Sequence, residues 1–405
     1  MKNAVKFTGI MFLVFFVAVS FCLAGSGEEE KPMEVEEPAA VTGEDPNAPD
    51  PWLANLRSKY DRYRDAIDLD FRDKAGYPTV WDTEVMITVG ERDKLRAGNY
   101  KAVMMIEWGS GEWTRANTSG IADTMEHYNI DISFVDAQLD AATQANQVET
   151  VVALKPDVVI FTSADDAASS TYAMPLIEAG IPVVLFSNIP EGWKHKTHFQ
   201  SISSQNYKAL ADYSMKIIAD NVPANPKIGI IYMDVAFGTM NIIANYVRDA
   251  VPKLMPGATV VEKGWIDMPK IYDLVDALLT TDPDIDGMWC SAMVQATYAQ
   301  EACLDRGRND IVISCFGVDS PTIISMLEGK PLRGAASDAP YLLGVNHAIV
   351  ACGAILGKDK PPHIVTPVVP ITPDNVEEGW QLSNHEVIPA EVRVVLQNYK
   401  ARMNQ

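Results

Sequence analysis

Residues 155–161 read KPDVVIF and residues 178–186 read EAGIPVVLF. Each stretch holds a short apolar run, 158–161 and 183–186, and the amphipathic segment 174–179 lies between them. Short apolar runs separated by amphipathic stretches are the pattern of strands buried on both faces and joined by helices. The alternation extends in both directions. Apolar runs recur at 102–106, 132–135, 228–232, 259–261, 287–289 and 311–315. Amphipathic segments fall at 116–128, 142–154, 207–221, 242–253, 271–279, 296–306 and 322–329. This order predicts an α/β fold with parallel sheets and right-handed crossovers. The units are too many for one compact sheet, and no strand-to-helix turn carries GxGxxG, so two Rossmann-like lobes fit better.

The chain has 405 residues, 47% of them hydrophobic, enough for two domains with sizeable cores. Its formal net charge of −21 favours solubility and argues against nucleic acid or an anionic membrane as partner. Residues 1–24 read as a signal peptide. Lys2 and Lys6 precede an apolar run from Phe7 to Ala24, and Cys22-Leu23-Ala24 offers small residues for cleavage before Gly25. Two other readings remain: lipidation of Cys22, although Phe21 stands where lipoprotein signals want a small residue, and an uncleaved anchor. All three place the remainder on the periplasmic or extracellular side. Residues 25–50 hold nine acidic residues against one Lys, with four prolines, and read as an acidic disordered tether. Asp50 followed by Pro51 has the form of a helix start. Trp52, Leu56, Tyr60, Tyr63 and Ile67 then recur at helical spacing, so 51–99 is expected to be an N-terminal helical extension packed on the main body.

Several sequence features lead away from chemistry. Cys290, Cys303, Cys315 and Cys352 form no CxxC pair, which argues against a zinc site and leaves buried free thiols or one disulfide. Residues 282–287 imitate the start of a calcium loop, but Met293 stands where the closing Glu is required. Ser163-Ala164-Asp165-Asp166 reads as a helix N-terminus. No HExxH, P-loop or GxSxG is present, so no enzyme, metal or cofactor is expected.

The ordered motifs resemble the type I periplasmic binding proteins, the ribose-binding-protein-like family of sugar transport. The resemblance rests on Gln144-Ala145-Asn146-Gln147 through Lys155-Pro156-Asp157, Glu178-Ala179-Gly180-Ile181-Pro182, and Thr281-Asp282-Pro283-Asp284-Ile285-Asp286-Gly287. Phe316-Gly317-Val318-Asp319, Glu328-Gly329-Lys330, Pro340-Tyr341-Leu342-Leu343-Gly344 and Leu356-Gly357-Lys358 follow in order. It spans roughly residues 100–375. It implies two lobes joined by three hinge crossovers, lobe 1 from 100–203 and 339–370, lobe 2 from 204–338 and 371–405 with the C-terminal tail. It also implies a ligand held between the lobes at the carboxyl ends of the strands, with closure as a hinge motion.

A sugar needs flat aromatic surface for its faces and charged or amide groups for its hydroxyls. The loop 107–115 supplies Trp113, at the aromatic-platform position of relatives, with Arg115 close behind. Relatives of the ribose type place Asp-Arg after the strand 183–186; here Ser187-Asn188 stands there, and Asn188 still donates and accepts. In the second lobe the candidates are Asp234, Phe237 as an opposing aromatic face, Asn241 where relatives often carry Arg, Trp265, and Asp319 at the family's hydroxyl-accepting position. Asp338 falls at the polar hinge position. For the aspartates the alternative is helix capping or loop solvation. The expected function is capture of a small sugar or polyol by a monomer for an ABC transporter permease in the membrane. Two alternatives stand: a receptor for an autoinducer or another small polar ligand, and a ligand-sensing ectodomain serving a membrane signalling partner.

Overall fold

The computed structural model describes residues 44–66, 69, 76–234 and 238–403. The signal peptide with Cys22, most of the acidic tether, Ile67 and Phe237 lie outside the described residues.

The strands follow one another as β1 (Thr79–Trp81), β2 (Lys101–Ile106), β3 (Asp131–Asp136), β4 (Val158–Phe161), β5 (Val183–Phe186) and β6 (Ile202–Gln205). Next come β7 (Lys227–Met233), β8 (Thr259–Trp265), β9 (Gly287–Cys290), β10 (Val312–Phe316) and β11 (Leu332–Ser337), then β12 (His363–Thr366) and β13 (Val369–Ile371). They form a seven-stranded sheet, β1-β12-β6-β5-β4-β2-β3, and a six-stranded sheet, β13-β11-β10-β9-β7-β8. All pairings are parallel except β11 with β13. Central strands β4, β5, β9 and β10 are buried along their whole length, which explains their unbroken apolar runs. Edge strands β3 and β8 are largely exposed.

The chain passes between the sheets at three places: after β6 at Gln205, after β11 at Asp338, and between β12 and β13. Each crossing hands the next element to the other lobe. Tyr207–Ala219 packs on β10 and β11, whereas Pro340–Ile355 packs on β4, β5, β6 and the helix Glu112–His127. The third crossing precedes Val369, so β13 belongs to the second sheet, ahead of the lobe boundary expected at 370.

The N-terminal extension is not wholly helical. It contains helices Pro51–Ser58, Asp61–Asp65 and Val89–Ala97, but β1 between them joins the first sheet beside β12. The helix start is formed as read: Asp50 accepts the Trp52 N–H, and Pro51 occupies the first helical position. Leu53, Leu56, Tyr60 and Tyr63 are buried. Beneath them lies an ionic cluster. Arg64 makes two bonds to Asp82, Nε to Oδ1 at 2.8 Å and Nη2 to Oδ2 at 2.9 Å. Arg57 Nε lies 3.6 Å from Asp82 Oδ2, and Asn346 Nδ2 donates to the same oxygen at 3.0 Å. Asn346 also accepts from Arg57 Nη2 at 2.7 Å and donates to Thr366 at 3.1 Å. The extension is therefore keyed into the first lobe beside the third crossing.

Helices Glu112–His127 and Pro340–Ile355 cross at two glycines. A Cβ on Gly120 would lie 2.1 Å from the Tyr341 carbonyl oxygen, and one on Gly344 would lie 2.0 Å from that of Asn117. The backbones therefore touch, and this contact fixes the start of one helix against the start of the other. Gly344→Ala is expected to force the helices apart and to cost about 1–3 kcal/mol in denaturant unfolding. An unchanged midpoint would show that the crossing has slack.

Candidate functional site

Helix Glu112–His127 begins beyond β2, and helix Pro340–Ile355 begins beyond β11. Their glycine contact brings Trp113 and Asp338 together. Trp113 Nε1 lies 3.0 Å from both Asp338 carboxylate oxygens, so the indole N–H donates to a carboxylate at the second crossing. The Trp113 ring stacks on Phe186 at the end of β5, with centroids 6.0 Å apart and planes 15° apart. Phe186 in turn meets His347, whose centroid is 4.1 Å away. His347 is fully buried with neither ring nitrogen hydrogen-bonded, and burial pulls its pKa down to about 3, so the ring is neutral.

Asp338 is fully buried, and burial pushes its pKa up to about 6 against the hydrogen bonds of Trp113 and Gln205. Gln205, the last residue of β6, accepts from the Ser187 hydroxyl at 2.6 Å, and Tyr207 OH donates to the Ser187 carbonyl at 2.8 Å. The aromatic platform is thus linked by polar groups to the first and second crossings. Ser187 and Ala339, each beside a candidate residue, hold left-handed backbones at φ 60° and 49°. Such conformations in residues with a Cβ store strain that surrounding structure must support. At the end of β2, Glu107 is buried, and burial pushes its pKa up to about 7, aided by the nearby charge of Asp136.

The carboxyl ends of the two sheets face each other. Asn188 Oδ1 accepts from the Thr239 backbone N–H at 3.1 Å and from its hydroxyl at 2.5 Å. Glu112 accepts from the Ser320 N–H at 2.7 Å and from its hydroxyl at 2.8 Å. Both contacts join the first lobe to the second.

The remaining candidates are placed differently. Arg115 is exposed and forms a two-pronged ion pair with Glu386 at 3.0 Å, so it is not gathered with Trp113 and Asp338. Asp319 caps the helix Ser320–Glu328, accepting the Thr322 N–H at 2.9 Å, which is the capping alternative weighed for it. Asp234 is exposed at the end of β7, where its N–H donates to the Trp265 carbonyl at 2.8 Å. Trp265 is buried at the end of β8, and its Nε1 has no hydrogen-bond partner. Asn241 is half-buried in the first turn of Gly238–Leu254. Asp165 caps its helix through the N–H groups of Ala167 and Ala168, as the helix-start reading required. The structure adds Glu107, Glu112, Gln205, Thr239 and Ser320 to the site. The four described cysteines are free and buried, and among the described residues no cluster of His, Cys, Asp or Glu could hold a metal ion.

This assembly presents carboxylates and amides beside an indole face. The basic residue of the loop 107–115 is already ion-paired to Glu386. Such a surface accepts hydrogen bonds from hydroxyl groups and repels anions.

Residues 102–358 match the family model described as a periplasmic binding protein domain. The ribose import binding protein of Bacillus subtilis (strain 168) is 24% identical over 226 residues, covering 56% of this chain and 72% of that protein. Among solved structures, a solute-binding protein of an ABC transporter from Agrobacterium vitis, bound with alpha-D-tagatopyranose, aligns with a TM-score of 0.65 at 16% identity. That alignment covers 72% of this chain and 100% of the other. One from Bacillus halodurans C-125, with bound myo-inositol, aligns with a TM-score of 0.62 at 20% identity, covering 69% and 97%. At these identities the structural likeness speaks for the two-lobed fold.

Proposed function

The chain belongs to the periplasmic binding protein domain family, and from that premise we propose that it captures a small neutral sugar or polyol between its lobes and delivers it to an ABC importer. The observation that carries the reading is the Trp113 indole held by Asp338 at the second crossing, a flat apolar face next to a buried acceptor. Glu107 at the end of β2 and Gln205 at the end of β6 add further polar groups at the same edge of the sheet. Relatives of the same fold are described with myo-inositol and alpha-D-tagatopyranose, and the Bacillus subtilis relative is named for ribose import. With Ser187-Asn188 in place of an Asp-Arg pair and Arg115 held by Glu386, a polyol or a sugar other than ribose fits this site better than ribose itself. The leader at 1–24 would carry the protein to the extracytoplasmic side, where it works as a monomer.

Thermal unfolding in the presence of pentoses, hexoses, cyclic and linear polyols and the matching sugar acids tests the reading. A ligand at a hundred times its Kd adds roughly 2.7 kcal/mol to stability, a clear rise in Tm. A neutral polyhydroxy compound is expected to give this rise and its acid counterpart none. Trp113→Ala is expected to weaken the hit by roughly 10–100-fold in calorimetry. Stabilisation by no neutral sugar or polyol, or undiminished binding in Trp113→Ala, would overturn the proposal.

A further inference from the structure

The Asn188–Thr239 and Glu112–Ser320 contacts between the lobes share one form. Each places a first-lobe acceptor on an N-terminal N–H group of a second-lobe helix. The first N–H groups of any helix lack partners within it, and the local dipole favours negative charge there. In Ser320–Glu328 the Thr322 N–H is taken by Asp319 of the same lobe, but the Ser320 N–H is taken by Glu112 of the other. In Gly238–Leu254 the Thr239 N–H and hydroxyl are taken by Asn188 of the other lobe. Ser320, Thr239 and Asn188 are all buried by the arrangement. Both of these interlobe bonds are made only while the lobes are together.

We propose that Glu112 and Asn188 are positioning residues that close the lobes without ligand, by accepting first-turn N–H and hydroxyl groups of two second-lobe helices, and so set the fraction of protein closed before solute arrives. An opposing force is built in. Glu112 shares its helix end with Asp319, whose carboxyl is pushed above its ordinary range mainly by burial, with the charge of Glu112 adding to the rise. Attraction to the helix end and repulsion between the acids leave a clasp that can open. The apparent Kd of a protein that binds in one state is its intrinsic Kd divided by the fraction in that state. Weakening the clasp then lowers affinity for every solute in the same proportion, without any contact to it.

The experiment needs no ligand, so its failure leaves the proposed solute class untouched, and failure of the solute screen leaves the clasp untouched. The four described cysteines are buried, so spin labels on Glu149→Cys and Lys253→Cys, exposed sites on opposite lobes, can be placed selectively once Cys22 is replaced by Ser. Interlobe distances are read by pulsed electron resonance. The ligand-free parent is expected to show mainly the short distance. Glu112→Ala and, independently, Thr239→Val are expected to lower the closed-to-open ratio by roughly tenfold, the size of losing one cap. Glu112→Gln keeps an acceptor oxygen and should shift the ratio less, and far-ultraviolet dichroism of each variant should match the parent. A ligand-free parent that is already open, or distances unmoved in both Glu112→Ala and Thr239→Val, would overturn the proposal.

Discussion

Asp82→Ala is expected to lower the free energy of unfolding by about 3–5 kcal/mol, the cost of removing one partner from a buried ion pair. Asp82 is fully buried, and Arg57 and Arg64 are nearly so. Arg64 loses both of its bonds to Asp82 in the variant and keeps only the one to Asp61, and Arg57 loses the charge 3.6 Å away. Arg57 already feels the strain of its site, since burial pulls its guanidinium down to about 10 despite the attraction of Asp82. Asn346 would also lose an acceptor, loosening its hold on Thr366 beside the third crossing. Urea unfolding followed by tryptophan emission measures the loss, and a change below about 1 kcal/mol would mean the arginines find other partners or water.

Asp338→Asn is expected to act in the opposite sense. The ordinary carboxyl value of 3.8 rises to about 6 in the folded protein, so the folded state keeps its proton after the unfolded chain has released its own. Between about pH 4 and pH 6 the folded state binds more protons, and its stability falls as pH rises through that window. A shift of about two pK units corresponds to about 3 kcal/mol lost by pH 7. Asparagine cannot ionise. The variant should match the parent near pH 4 and exceed it by about 2 kcal/mol at pH 7, after allowing about 1 kcal/mol for a weaker bond to Trp113. The same change should weaken solute binding, because Asp338 holds the indole in place. Parallel stability curves for parent and variant from pH 4 to pH 7 would refute this account. A buried carboxylate kept at the expense of stability, next to a strained Ala339 backbone, is the pattern of a residue retained for function.

The fold was legible where the physics is local. Apolar runs marked β4, β5, β9 and β10 because those strands are buried on both faces. The polar strands at the crossings left no such mark. Strand β6 reads Ile-Ser-Ser-Gln and is buried throughout, and its Ser204 hydroxyl is answered by a distant partner, with Oγ 2.5 Å from His363 Nε2. The strand inside the N-terminal extension was hidden for a related reason, since β1 pairs only with a strand near the far end of the chain. In the site, Trp113 and Asp338 could each be singled out, but their bond spans 225 positions and no spacing rule reaches so far. Asp319 followed by Thr322 carried a capping pattern, and the structure realises it. Glu112 had no local signal, because its partner lies on the other lobe.

Strand β12 also dictates an order of assembly. Within the first sheet, β1 borders only β12, and β12 separates β1 from β6. The second lobe draws β7 to β11 from one unbroken stretch and takes only its edge strand β13 later, whereas the first needs β12, made near the end of synthesis, inside its sheet. A chain that emerges amino end first must therefore hold β6 as an open edge while its later half condenses. Such late, long-range pairing is slow, and an uncovered edge invites association with other chains. The maturation rate of this protein should follow the arrival of His363–Thr366, and a holding chaperone would have most to protect in the interval before it.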